Sequence, residues 1–133
     1  MPTVDRLIVT DLTLTIFRWP GLTPVTYTRQ STPAGGEARI GLVTISTDAG
    51  IEGYAFLGSS FRPVDIDARA LIDVLKPVVM GQNALDREKL NRVLLSRNRA
   101  VMMRPIGAVD VALWDIAGKA ANMPIHRLIG TAR

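Results

Sequence analysis

The stretch IGAVDVALWDIAGKAANMPIHRLIG, Ile106–Gly130, decides the fold. At 3.6 residues per turn, Ile106, Val109, Leu113, Ile116, Ala117 and Ala120 line one apolar stripe, and Val111 and Trp114 carry apolar surface well beyond it. Only a narrow polar strip is left. It holds Asp115 and Lys119 at i and i+4 with the acid first, the favourable order for an ion pair on a helix. A helix apolar round most of its girth has to be covered on more than one side. Gly118 costs this helix about 1 kcal/mol relative to alanine, which points to close packing at that turn. Pro105 stands at a natural first helical position, and Pro124 opens a short further helix that Gly130 closes.

Upstream, Ala68, Leu71, Ile72, Leu75 and Val79 repeat at helical spacing behind Pro63, with Asp65 as the expected N-cap. Asp65, Arg69 and Asp73 fall on the wet side, and Pro77 is expected to stop or bend the helix. A second helix follows an Asp86 cap, with Leu90, Val93 and Leu94 as its apolar face.

Before Asp65 the period is that of strands. Leu7–Phe17 alternates Leu12, Leu14 and Ile16 against Thr13, Thr15 and Phe17. The runs ARIGLVTISTD (38–48) and IEGYAFLG (51–58) are joined through Asp48-Ala49-Gly50, a short glycine-containing hairpin signal. Between the first two strands, Arg18–Ala38 contains Pro20, Pro24 and Pro33 with Gly21, Gly35 and Gly36, and reads as a long loop of the kind kept for binding or lids. Gly58–Pro63 is a second irregular piece. The expected fold is α+β, a three-stranded antiparallel meander (about 4–57) followed by a three- to four-helix bundle (about 65–130).

The 133 residues, 47% of them hydrophobic, suffice for one domain with a modest core. The net charge of +4 is concentrated: Arg87, Lys89, Arg92, Arg97, Arg99 and Arg104 lie close together, but no nucleic-acid motif accompanies them, so a solvated face is expected and no nucleic-acid partner. Without cysteine there are no disulfides, thiolate metal sites or cysteine nucleophiles, and with no signal-peptide pattern at MPTVDRLIVT the cytoplasm is the expected compartment. No apolar run approaches the ~20 residues of a membrane span, so no membrane partner is expected either.

Chemistry is sparse. His126 is the only histidine, so a two-histidine metal site cannot be built. Asp110 falls within the apolar stripe and is expected to accept hydrogen bonds from neighbouring backbone amides, no partner base being in sight. Asp65 with Asp67, and Asp86 with Glu88, are spaced two apart, do not face each other on a helix, and read as helix-start acids. Gly35-Gly36 does not sit between a strand and a helix, and Ser59 and Ser60 lack the glycines of a nucleophile elbow.

The pattern A-x-D-x-A-L-W-D-x-x-G-K-A, here Ala108, Asp110, Ala112, Leu113, Trp114, Asp115, Gly118, Lys119 and Ala120, is followed by Pro124, Leu128 and Gly130 as P-x-x-x-L-x-G. Together with TDAGIEGYAF (47–56), these residues resemble the N-terminal capping domain of the mandelate racemase and muconate lactonizing enzyme branch of the enolase superfamily. The resemblance covers almost the whole chain and implies that 1–133 is such a domain. It implies a full-length isomerase or lyase that abstracts a proton alpha to a carboxylate of a small substrate, as a racemase, acid-sugar dehydratase or cycloisomerase. The bases and the Mg²⁺ ligands would lie in a C-terminal TIM-type barrel beginning after Arg133. This chain would then hold no catalytic residue and no metal ligand, would be inactive alone and would work within a homo-oligomer. Helix 106–120 would pack between meander and barrel. Arg18–Ala38 and Gly58–Pro63 match the loops that close over the barrel, with Val25, Tyr27, Ser60 and Phe61 facing substrate and Arg29 and Arg62 available to a carboxylate or hydroxyl. The alternative is a stand-alone interaction module that uses the basic 87–104 segment on an acidic partner.

Overall fold

A computed structural model describes residues 5–25, 34–59 and 62–130. The alternating segments pair as an antiparallel sheet of β1 (Val9–Val25), β2 (Ala34–Thr47) and β3 (Glu52–Ser59), in the order β1-β2-β3. Gly50, at φ +75°, lets the chain reverse between β2 and β3, and its amide donates to the Thr47 carbonyl at 3.0 Å. Register puts Leu12 opposite Ile45, and Val43 between Leu14 and Ala55. Those residues form the buried face, while Phe17, Trp19, Tyr54 and Phe56 stay exposed on the other.

The helices cover the buried face. α1 (Asp65–Ala70) continues through a π turn (Leu71–Leu75) into α2 (Lys76–Val79), followed by α3 (Arg87–Leu95), α4 (Asn98–Val101), α5 (Met103–Ala120) and α6 (Ile125–Ile129). Leu71, Leu75, Leu90, Leu94, Ile106, Val109, Leu113 and Ile116 close a single core with the sheet.

The girth of α5 is accounted for mostly within the chain. α5 touches β2 and β3 on one side and α1, the π turn, α3, α4 and α6 on others. Helix and sheet meet closely because Gly53 has no side chain: a Cβ there would lie 2.0 Å from the Ala112 carbonyl oxygen. Gly118 serves the same end at the far turn, where a Cβ would come within 3.1 Å of the Met123 carbonyl oxygen. What remains uncovered is a strip through Arg104, Gly107, Val111 and Trp114, with Val111 exposed and Trp114 half-buried.

Several expectations are corrected. The stretch Arg18–Ala38 is not a loop throughout, because β1 runs on to Val25 and β2 begins at Ala34, with Trp19 opposite Ala38 and Val25 opposite Ala34. Pro20 and Pro24 do not end the strand, since each falls at a shift in register on an edge strand, where a missing N–H is tolerated. Pro77 does not stop its helix either. The π turn before it carries the Lys76 amide to the Leu71 carbonyl, so the α-helical pattern that proline would break is already displaced. Val64, not Asp65, is the N-cap of α1, and the Asp86 side chain makes no capping bond; it accepts from Asn83 Nδ2 instead. α5 begins at Met103, two residues before Pro105. Ile72 and Val93 are exposed, Ile72 because it lies in the π turn that displaces the α-helical stripe, and Val93 because it lines the open groove beside α3 while Leu90 and Leu94 face the core. Asp110 accepts from the Asn91 amide side chain at 3.1 Å rather than from backbone.

Candidate functional site

Charged side chains gather where β3 ends against β2, beside the first turn of α1. β3 brings Ser59 opposite Arg39 of β2. Gly58 makes the approach possible, with φ +109° and an absent Cβ that would sit 2.8 Å from the Arg39 carbonyl oxygen. The same carbonyl accepts from the Val64 amide at 3.1 Å. Ser59 and Arg62 clip the second loop at its base, the Ser59 amide donating to the Arg62 carbonyl at 2.9 Å and the Arg62 amide to Ser59 Oγ at 3.1 Å.

The Arg62 guanidinium donates through Nε and Nη2 to both oxygens of Asp67, at 3.1 and 2.8 Å. Asp67 is 2% exposed. This forked hydrogen bonding holds the guanidinium above its ordinary pKa. Arg39 spans Glu37 and, at 3.3 Å, Asp65, and both partners raise its pKa, Glu37 the more; Glu37 in turn is lowered by Arg39.

Of the residues expected to face substrate, Arg62 is thus described with its forked edge turned to Asp67. Val25 ends β1, opposite Ala34. Tyr27, Arg29, Ser60 and Phe61 lie outside the described residues. Asp67 and Arg39 were missed by sequence reading. One sign was available: Asp67 stands four residues before Leu71 and so on the buried stripe of its helix, where a carboxylate needs a partner.

The polar strip of α5 is turned to the sheet. Asp115 Oδ2 accepts from the Tyr54 amide at 3.0 Å and from Lys119 Nζ at 2.6 Å, and Lys119 also donates to the Glu52 carbonyl at 2.7 Å. The expected ion pair therefore forms and supplies partners to the open edge of β3. The basic 87–104 segment is not one uniform patch. Arg87 stacks over the Trp114 ring, 3.1 Å from its centroid, and burial there pushes its guanidinium below its ordinary value. Asp86 and Glu88 interleave with the cations around the open groove at the start of α3.

Mg²⁺ does not fit the described residues. No three acidic or histidine side chains converge among them, and several acids are already engaged: Asp11 with Lys76, Asp67 with Arg62, Asp115 with Lys119, and Glu52 with Tyr54 and Ser46. His126 is exposed on α6. No helix among the described residues is long and apolar enough to cross a membrane.

Comparison with known proteins supplies the context for this geometry. Residues 11–130 match the family model described as "Mandelate racemase / muconate lactonizing enzyme, N-terminal domain". A cis-3-hydroxy-L-proline dehydratase of Roseibium aggregatum is 34% identical over 97 residues, 68% of this chain and 26% of that protein. A D-galactonate dehydratase family member of Paenibacillus sp. is 31% identical over 96 residues, covering 68% and 23%. The chain thus spans about a quarter of the length of these relatives. The crystal structure of D-glucarate dehydratase from Agrobacterium tumefaciens complexed with magnesium superposes with a TM-score of 0.75 at 28% identity, over 97% of this chain and 35% of that one. With the sheet, the helix order and a match over nearly its whole length in agreement, the chain belongs to the mandelate racemase and muconate lactonizing enzyme N-terminal domain family of the enolase superfamily.

Proposed function

We propose that this chain is the capping and substrate-selecting domain of an acid-sugar dehydratase or a related enzyme that abstracts a proton alpha to a carboxylate. The observation that carries the reading is the family match over residues 11–130 joined to relatives that are dehydratases of hydroxylated acids. The domain acts by positioning, not by chemistry of its own. Two loops that leave the sheet from the end of β1 and the end of β3 close over a TIM-type barrel, exclude water from the carboxylate and select its substituents. Val25, Tyr27, Ser60 and Phe61 supply contact surface, and Arg29 a donor to substrate oxygens. Arg62 supports the second loop from below. Mg²⁺ belongs with the barrel, since no three acidic or histidine side chains converge among the described residues. The strip Arg104–Gly107–Val111–Trp114 is the side of α5 left for the barrel to cover, and copies of the whole enzyme assemble in the cytoplasm.

The test is to fuse the chain at Arg133 to the barrel of a dehydratase relative and assay a panel of acid sugars and hydroxyprolines with Mg²⁺. Dehydration whose substrate profile follows this domain, and changes when Tyr27 or Phe61 becomes alanine, supports the reading. A profile indifferent to which capping domain is fused overturns it. Steeply salt-dependent retention on heparin, with no affinity for a barrel, would instead favour a basic interaction module.

A further inference from the structure

We infer that Arg39 and Asp67 are positioning residues that tie strand β2, which carries the first loop, and the Ser59–Arg62 base of the second loop to the first turn of α1, so that the ribbon and that base are set as one unit. The inference rests on the capping role proposed above. It goes further in naming what fixes the loops, neither residue having an expected contact with substrate.

Asp67 is 2% exposed, and a buried carboxylate is tolerated only when paired and hydrogen-bonded. Pairing it with Arg62 avoids that penalty but is weak evidence of added stability, since an apolar side chain of similar volume commonly serves a core as well. What an aliphatic residue could not do is hold a guanidinium in one orientation by two bonds, Nε to Oδ2 at 3.1 Å and Nη2 to Oδ1 at 2.8 Å. Arg62 is in turn closed onto Ser59 by the reciprocal bonds of the loop base. The fork therefore sets the orientation of Arg62, and with it Ser59, relative to α1.

The first hairpin arrives at the same turn from the other side. The Arg39 carbonyl accepts from the Val64 amide, and the Arg39 guanidinium bridges Glu37 on its own strand to Asp65 on the helix. Residues 64–67 thus take one tie from β2 through the backbone, one through Arg39, and one from the second loop through Arg62. Gly58 keeps these parts in contact, because a Cβ there would collide with the Arg39 carbonyl and press tightly on Val64. Loosening either arm leaves the other attached to a turn that is free to shift.

Amide hydrogen exchange on the chain tests the tie. Arg62→Lys keeps the charge and loses the fork, and Asp67→Asn is the second variant, with protection at Val43 and Ile45 reporting whether the fold is kept. Arg62→Lys should speed exchange at the Ser59 and Arg62 amides about tenfold or more while Val43 and Ile45 stay protected. Arg39→Gln should speed exchange at Arg62 as well, across the gap between loops. Unchanged protection at Ser59 and Arg62 in Arg62→Lys overturns the tie, and an Arg39→Gln effect confined to β2 overturns the coupling. In the barrel fusion, Arg62→Lys should raise KM about five- to tenfold with kcat within about twofold, and a fall in kcat at constant KM would overturn the positioning role. A wild-type fusion without activity would count against the capping role alone, while the exchange results would still decide whether the tie exists.

Discussion

The two ends of the sheet are built on different principles. Near the β2–β3 turn, β3 lies against α5 so closely that only Gly53 fits, and the Tyr54 amide and Glu52 carbonyl at its open edge are answered by Asp115 and Lys119. At the opposite end the β1–β2 ribbon runs past two prolines and two shifts in register, carries exposed Phe17 and Trp19, and is held to α1 by charged side chains. Packing specifies the first end, where a change of one atom is felt. Hydrogen bonds and turn residues specify the second, where sequence can change at small cost to the fold. Divided in this way, a domain can vary its loops without unsettling its core.

The largest effect should separate the ends directly. Gly53→Ala is expected to cost about 3 kcal/mol or more, because its Cβ meets backbone rather than a movable side chain. Gly36→Ala, with φ +84° but open space around it, should cost only about 1 kcal/mol. Urea denaturation of both variants gives the comparison, and equal losses would break it. Next, Asp115→Ala should cost about 1 kcal/mol, since water can partly replace it at a half-exposed edge. A loss several times larger would mean that the latch carries the packing of α5.

Acid should act on contacts at both ends. Asp11 is held below the ordinary carboxylate range chiefly by the hydrogen bond from Lys76, Glu37 by that from Arg39, and Glu52 by that from Tyr54. Groups depressed in the folded state stabilise it above their unfolded values of about 4, and that contribution disappears as pH falls through the lower folded values. Stability should therefore decline below about pH 4, and shallowly, because these groups are largely solvated. Asp11→Asn should narrow the difference between urea midpoints measured at about pH 6 and about pH 3. An unchanged difference would remove the Lys76 pair from the account. The smallest effect belongs to the outer face: Phe56, 71% exposed, should tolerate serine within about 0.5 kcal/mol. A greater loss would show that this face is packed in solution.

Sequence reading recovered what periodicity encodes. The meander, the hairpin at Gly50, the buried stripe of α5 and the Asp115–Lys119 pair all follow from spacing along one chain. It failed where a local rule met a tertiary exception. Pro20, Pro24 and Pro77 are breakers by composition, yet an edge strand and a π turn accommodate them. The core-like patterning of α5 was read as a face awaiting another domain, although most of that face is covered by the chain's own sheet and helices. Asp67 was explained as a helix-start acid because Arg62, five residues away across an irregular turn, is not a neighbour that helical spacing reveals.

The pairing of Asp115 and Lys119 with the edge of β3 also bears on how many copies could ever be joined strand to strand. Those side chains occupy two of the outward groups that an incoming strand would need, the Tyr54 N–H and the Glu52 carbonyl. At the start of β1, Val9 exchanges backbone bonds with Gly81 and Gln82, but from Thr10 to Trp19 the described backbone pairs with β2 alone. The Glu52–Tyr54 end of β3 is thus closed to an incoming strand while β1 keeps its edge, so two molecules adding edge to edge through β1 would use the same surface on each and meet a blocked edge at that end, which disfavours extension into a fibre.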